Sequence, residues 1–477
     1  MLDCVIVGNG ILGLALAFRL KNDHPSLKVA VVGPAARRGS ATMAAGAMLN
    51  VWAELADGQF EDPYLAQRFE LPLRGMGAWR GFADEIVGVT GGRIDIGWGT
   101  YAINTPMSAP WGDRTWAYFV KSLKEKGVDH EIMEPLEIPF LAPAQHSRPL
   151  AAARLPDGRV SPEQILGELE KALDILGVEC LDDEVVWLET DGVRRVHLAS
   201  GLVLDTDKAV LANGSFAQAL IDQVPALRYE TPRLVWGNGA ALELTFPEWI
   251  PRGEPNHPLW DMDCVVRSLN PIGACGLHVV PRGGAKFYVG ASSAVLYERE
   301  WEPRAHAVGF LLNDVVHEIN RKFAWSTVRL VGCGFRPVCV DTFPLLGESS
   351  VSGVWFLNGM KRDGLTSAPY LVQELSREMT VGTSALPLAF RPSRKLIPYK
   401  TRATAIDEAV LFSINGERQH DLHLPPWADE SYAAHRRDEI SKVYEKRAIG
   451  DFAIHPEVIH LFDNDAYFAG ITHSIPK

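Results

Sequence analysis

The chain has no cysteine pair at metal-ligand or redox spacing. Its six cysteines, at positions 4, 180, 264, 275, 333 and 339, are scattered. That distribution excludes a zinc ribbon and a CxxC centre, and in a chain this long it predicts reduced thiols. Long apolar runs are missing too. None reaches the ~20 residues that a membrane span requires. The apolar stretch from Cys4 to Leu20 lacks a basic flank, follows Asp3 and is broken by three glycines, so it is not read as a secretory leader. A cytoplasmic protein with no membrane partner is the expectation. Positive charge is also short: the formal net charge is −12, which leaves nothing to neutralise a phosphate backbone and excludes nucleic acid as a partner. The pairs Arg37-Arg38 and Arg436-Arg437 read as solvated surface. No internal repeat or low-complexity tract is visible.

What remains is an ordinary globular composition, 47% hydrophobic and 22% charged over 477 residues, long enough for two or three domains. The apolar run DCVIV (3–7) predicts a strand. Ile11, Leu12, Leu14, Ala15, Phe18 and Leu20 follow at helical spacing, and Lys28 to Val32 predicts a second strand. This is one βαβ unit. A helix is predicted at about 63–88, its Phe69, Trp79 and Phe82 stripe reading as core packing. Strands and loops fill 92–155, with a helix near 114–126. Ser161-Pro162 predicts the start of another helix, and short strands follow from Val178 to Leu188. The strand at 203–212 runs into Asn213-Gly214. Residues 232–300 are strand-rich, with a hairpin of 277–281 and 286–290 around Arg282-Gly283-Gly284. Helices are predicted at 304–322 and 367–380. From residue 388 the chain changes to proline-bounded, charged segments of uncertain fold.

Gly8-Asn9-Gly10-Ile11-Leu12-Gly13 is a GxGxxG turn between strand and helix. Gly8 permits the tight turn, Gly10 lets backbone approach a pyrophosphate, and Gly13 lets helix and strand pack closely. The free N–H groups at Ile11 then face the negative charge. The acid that binds the ribose at the end of the second strand is absent, because Gly33 stands there. His420-Asp421-Leu422-His423 offers two histidines without a third ligand, and no metal is expected.

Downstream, Gly39-Ser40-Ala41-Thr42-Met43-Ala44-Ala45-Gly46-Ala47-Met48-Leu49 resembles the small-residue flavin loop of the D-amino-acid oxidase superfamily, in its glycine oxidase-like branch. AAGAM stands where that family more commonly has AAAGM. AQRFELPLRGMGAWRGFADEI, RVSPEQILGELEKALDILGVEC, EVVWLE, AVLANGSF, LHVVPRGGAKFYVGAS, GCGFRPVCVDTFPLLG and FLNGMKRDGLTSAP resemble the family's later segments in the same order. The resemblance covers roughly residues 1–385 in patches and leaves the tail uncovered. It implies an α/β fold: a Rossmann-type FAD-binding domain, an interleaved substrate domain on a mainly antiparallel sheet, and a C-terminal extension. The FAD-binding domain is expected at 1–90, 156–225 and 328–387, the substrate domain at 91–155 and 226–327, and the extension at 388–477.

The resemblance further implies a non-covalent FAD. Its expected contacts are Gly8, Gly10, Ile11, Gly13, Ser40, Thr42, Ala45, Gly46, Met48, Val185, Gly214, Gly359, Gly364, Leu365 and Thr366. A flavin takes hydride from a carbon bearing an amine, so the protein's task is orientation. No acid or base is assigned. An amino-acid substrate offers a carboxylate, which a guanidinium fork holds bidentately. Arg336 in GFRP matches the family's carboxylate-binding arginine and Arg362 a second arginine at the rim. His278 stands where many relatives carry a tyrosine, which implies an altered substrate pocket. The expected activity is oxidation of glycine, an N-substituted glycine or a D-amino acid, with oxygen as the second substrate. Three readings compete with it: a flavin dehydrogenase, a tailoring oxidase of a larger N-carboxymethyl compound, and an interaction protein whose tail builds an oligomer.

Overall fold

The computed structural model describes residues 1–106, 111–138, 140–190, 194–247, 262–269, 276–290, 292–419 and 425–475. The His420–His423 stretch lies outside them. Leu2–Val7 is the centre of the first sheet and pairs in parallel with Val29–Val32 on one side and Val203–Leu211 on the other. Its continuous apolar run is what a strand covered on both faces requires. Eight strands form this sheet among the described residues. Along its main path the order is Leu345–Glu348, Val354–Asn358, Val203–Leu211, Leu2–Val7, Val29–Val32 and Glu179–Leu181. The helices Ile11–Asp23, Pro63–Thr90, Pro162–Ile175 and Gly364–Val381 bury their apolar sides in one cluster on it. The long second helix has clear local causes. Asp62 Oδ1 accepts from the Tyr64 and Leu65 amides, Pro63 starts the helix, and Gly91 closes it at φ +62°.

The second sheet has ten strands among the described residues and is mainly antiparallel. Its hairpin, His278–Pro281 with Lys286–Gly290, lies where the sequence predicts one. Two of its strands cross the expected domain limits. Ala151–Val160 runs through residue 156, and Thr327–Cys339 occupies the start of the 328–387 segment. Both belong to the second sheet because their partners do: Ile96–Asn104 for the first, and Leu234–Thr245 for the second, the latter along the whole length of both strands. The chain returns to the first sheet only at Leu345.

The predicted 304–322 helix is α-helical only over Ala305–Asp314. Val315–Ile319 is a π-turn, and the chain then changes direction at Asn320. Asp314 and Glu318 are buried there side by side. The segment from 388 is helical rather than irregular: Arg402–Gln419 and Pro426–Lys446 are helices, with short turns after them. Ile406, Val410, Ile440, Val443 and Tyr444 form one buried cluster with Val235 and Val338 of the second sheet and Val340 just beyond it. The extension is thus fused to the body by a shared core. No helix among the described residues is long and apolar enough to cross a membrane.

Candidate active site

A cleft of about 900 Å³ runs between the two sheets. The strand-to-helix turn at Gly8 forms one wall. A Cβ at Gly8 would lie 2.7 Å from the backbone of Ala212 and Asn213, and its φ is +116°, so only glycine brings these two strand ends so close. At Gly13 a Cβ would meet the Gly8 carbonyl oxygen at 1.9 Å. Gly13 therefore serves the helix–strand contact and does not line the cleft. The Ile11 amide meets Thr42 Oγ1 at 3.2 Å, which ties the flavin loop to the helix N-terminus. Gly10 caps that helix without any side-chain bond, leaving its N-terminal field to the cleft.

Gly33 has a steric cause. A Cβ there would sit 2.6 Å from Cγ of Asn9, whose Nδ2 donates to the Pro34 carbonyl. Asn9 occupies the space an acid would need. The carboxylates at that end of the cleft come from Asp183 and Glu184, beside Val185. The helix Gly364–Val381 presents a second N-terminus, again without a side-chain cap, and Gly364, Leu365 and Thr366 line the cleft. Thr366 Oγ1 donates to the Met48 carbonyl at 3.2 Å. Ser40, Thr42, Ala45, Gly46, Met48 and Gly214 also line it. Gly359 does not: it is a turn glycine at φ +73°, close to Pro344 and Leu345. A cleft of this size, with two helix N-termini free of side-chain caps and a wall of small residues, fits an extended dinucleotide with a flavin ring.

The hairpin supports the flavin loop from the other sheet. Tyr288 donates to the Ala44 carbonyl at 2.7 Å, and Arg282 to that of Ala45 at 3.0 Å. His278 is buried against Tyr288, ring to ring at 5.9 Å. Its Nδ1 lies 3.0 Å from the Gly276 carbonyl, which can only accept, so the proton sits on Nδ1 and Nε2 is bare. Burial, with Arg267 and Arg336 nearby, pushes its pKa down to about 3. His278 is therefore neutral, with Nε2 as an acceptor.

Arg336 and Arg362 line this same end of the cleft. Both Arg336 Nη atoms donate to the Ser292 carbonyl at 3.1 Å. The guanidinium lies over Gly239, where a Cβ would come within 2.3 Å. Arg362 stands 4.0 Å from Glu54, which also pairs with Arg267, a fully buried arginine. Glu54 is held by its turn: the Asp157 carboxylate accepts from the Val51 and Ala53 amides at 3.0 Å and from Trp52 at 3.3 Å. Burial raises Asp157 to about 6 against the pull of these donors. Sequence reading missed Glu54, Arg267 and Asp157. The one available signal was Arg267 itself, a lone charge in the apolar strand CVVRS.

The profile of the family described as FAD dependent oxidoreductase matches residues 3–377. The chain belongs to that family. Solved structures similar to this FAD-dependent oxidoreductase include glycine oxidase from Geobacillus kaustophilus, at 21% identity and TM-score 0.67, covering 83% of this chain and 99% of that one. Iminodiacetate oxidase from Chelativorans sp. is similar at 20% identity and TM-score 0.66, covering 82% and 99%. Among curated proteins, the bifunctional protein ThiO/ThiG of Synechocystis sp. is 25% identical over 404 residues, 83% of this chain and 54% of that protein. The chain spans about half the length of the curated relatives it matches. The family match stops before the C-terminal helices of the oxidoreductase. Among the described residues no cluster suits a metal ion.

Proposed function

We propose that the protein oxidises a small primary or secondary amino acid: glycine, an N-substituted glycine or a D-amino acid. The observation that carries this reading is the pair of guanidiniums, Arg336 and Arg362, lining the end of the cleft beside Gly364–Thr366 and the loop at Gly46. Bound along the cleft by Gly8, Ser40, Thr42 and Thr366, FAD would supply the two-electron acceptor for the amine-bearing carbon; with oxygen as second substrate the products would be hydrogen peroxide and an imine that hydrolyses in water. Arg336 takes the substrate carboxylate and Arg362 closes over it. Glu54 keeps Arg362 and Arg267 in place through its own charge. The bare Nε2 of His278 is an acceptor for an amine N–H, a role that a phenol at this position fills differently. The names of the glycine and iminodiacetate oxidases support an amine bearing one or two carboxymethyl arms.

The test is anaerobic mixing of the flavin-loaded protein with glycine, sarcosine, N-alkylglycines, iminodiacetate and D-amino acids. Bleaching of the oxidised flavin by at least one of them, followed by peroxide on admission of air, is the expected result. A flavin that no carboxylate-bearing amine reduces overturns the proposal. Reduction without reaction with oxygen would make the protein a dehydrogenase.

A further inference from the structure

The extension beyond the family match packs Glu457 behind the residues that carry the two cleft arginines. Glu457 is 3% exposed and forms an ion pair with Lys361, itself 2% exposed. Lys361 directly precedes Arg362, and its amide donates to the Pro337 carbonyl at 2.9 Å, next to Arg336. Its backbone is left-handed, φ +53°, a conformation that a side chain resists unless its surroundings hold it. The other carboxylate oxygen of Glu457 accepts from Ser293 Oγ at 2.8 Å. Ser293 follows Ser292, whose carbonyl receives both Nη atoms of Arg336. One carboxylate from the tail thus stands behind both arginines, through Lys361 to Arg362 and through Ser293 to Arg336. Its own turn is fixed by the Glu457 amide donating to His455 Nδ1 at 3.2 Å.

We infer that Glu457 is a positioning residue for substrate binding, and that the C-terminal extension is a working part of the carboxylate clamp. This rests on the reading of Arg336 and Arg362 given above. A buried charge with two fixed partners holds geometry, and its removal leaves Lys361 buried without its counter-charge. The small side cavity of about 130 Å³ between the extension and the body agrees with this arrangement. It is lined by Lys361, Arg362 and His455 and shares Glu54 with the main cleft.

The experiment uses the full-length, flavin-loaded protein and its Glu457→Gln, Glu457→Asp and Ser293→Ala variants. Acetate is titrated while the visible flavin spectrum is followed, and KM and kcat are measured with the best amine substrate. For Glu457→Gln, the acetate Kd and KM should rise about tenfold, the loss expected for a removed charge-assisted contact. The change in kcat should stay within about threefold and FAD content should not change. Glu457→Asp should recover part of the loss, and Ser293→Ala should shift Kd in the same direction by a smaller factor. Folded variants with Kd and KM within about twofold of the parent overturn the inference. Should Glu457→Gln fail to fold, Ser293→Ala decides alone, because it leaves the ion pair intact. If acetate fails to perturb the parent protein's flavin at all, it is the arginine reading that falls, a different failure from unaltered variants of a responsive parent.

Discussion

Arg336 and His278 are neighbours with opposite chemistry. Arg336→Ala removes a bidentate donor, so KM for carboxylate-bearing amines should rise at least about a hundredfold, as for other lost charge-assisted pairs; unchanged KM would mean the arginine only holds Ser292. His278 is already neutral, since its pKa lies near 3. A kcat/KM profile measured from about pH 5 to 8 should therefore show no limb that His278→Gln abolishes. The same depression has a sign for stability. The unfolded imidazole takes up a proton near pH 6.5 and the buried one does not, so its contribution is complete above that pH and is lost as pH falls toward 3. Gly8→Ala carries a high local cost, because its Cβ would enter backbone at 2.7 Å at a positive φ. Purified Gly8→Ala protein should lack most of its flavin absorbance, and a fully yellow preparation would contradict the close approach argued for that turn.

The π-turn at Val315–Ile319 makes a prediction of its own. Burial lifts the Asp314 carboxyl to about 7, and burial with the charge of Asp314 raises Glu318 well above the ordinary carboxylate range. Both groups are held protonated in the folded state more than in the unfolded one. Their contribution is full below the ordinary carboxylate range, and that of Asp314 is lost as pH rises through about 7. Asp314→Asn should thus gain in Tm relative to the parent between about pH 6 and 8, measured by thermal unfolding. Elements of this kind also mark the limit of what the sequence discloses. The first βαβ unit, the hairpin at 278–290 and the helix from Pro63 are written in local signals: turn glycines, a proline at the first helical position, an apolar stripe. The break after Asp314 is not, because Val315, Val316 and Ile319 keep a helical spacing through a turn that tertiary contacts reshape. The pairing of Thr327–Cys339 is not legible for a similar reason, its partner Leu234–Thr245 being remote in the chain. At the site, Arg336 and Arg362 stood out because their motifs are compact. Glu54, Arg267 and Asp157 come from separate segments and become a cluster only when the fold closes.

At the scale of the whole molecule, the extension is bound by packing rather than by a hinge. Its helices bury Ile406, Val410, Ile440 and Val443 with Val235 and Val338 of the second sheet. Each such side chain contributes about 1.5–3 kcal/mol when removed from water. A chain ended at Pro387 should therefore expose a continuous apolar patch and aggregate, readable by light scattering on the purified fragment; a monodisperse fragment with unchanged Tm would show the extension to be independent. The Lys361–Glu457 ion pair adds a consequence in time. During synthesis the flavin-binding strands and both arginines leave the ribosome well before residue 457 does. Until that late residue emerges, the ammonium of Lys361 has no carboxylate to meet and no reason to leave water. Translation thus delivers this contact of the pocket well after both arginines, and a stalled nascent chain would be able to form the glycine-rich turn long before it could seat a substrate.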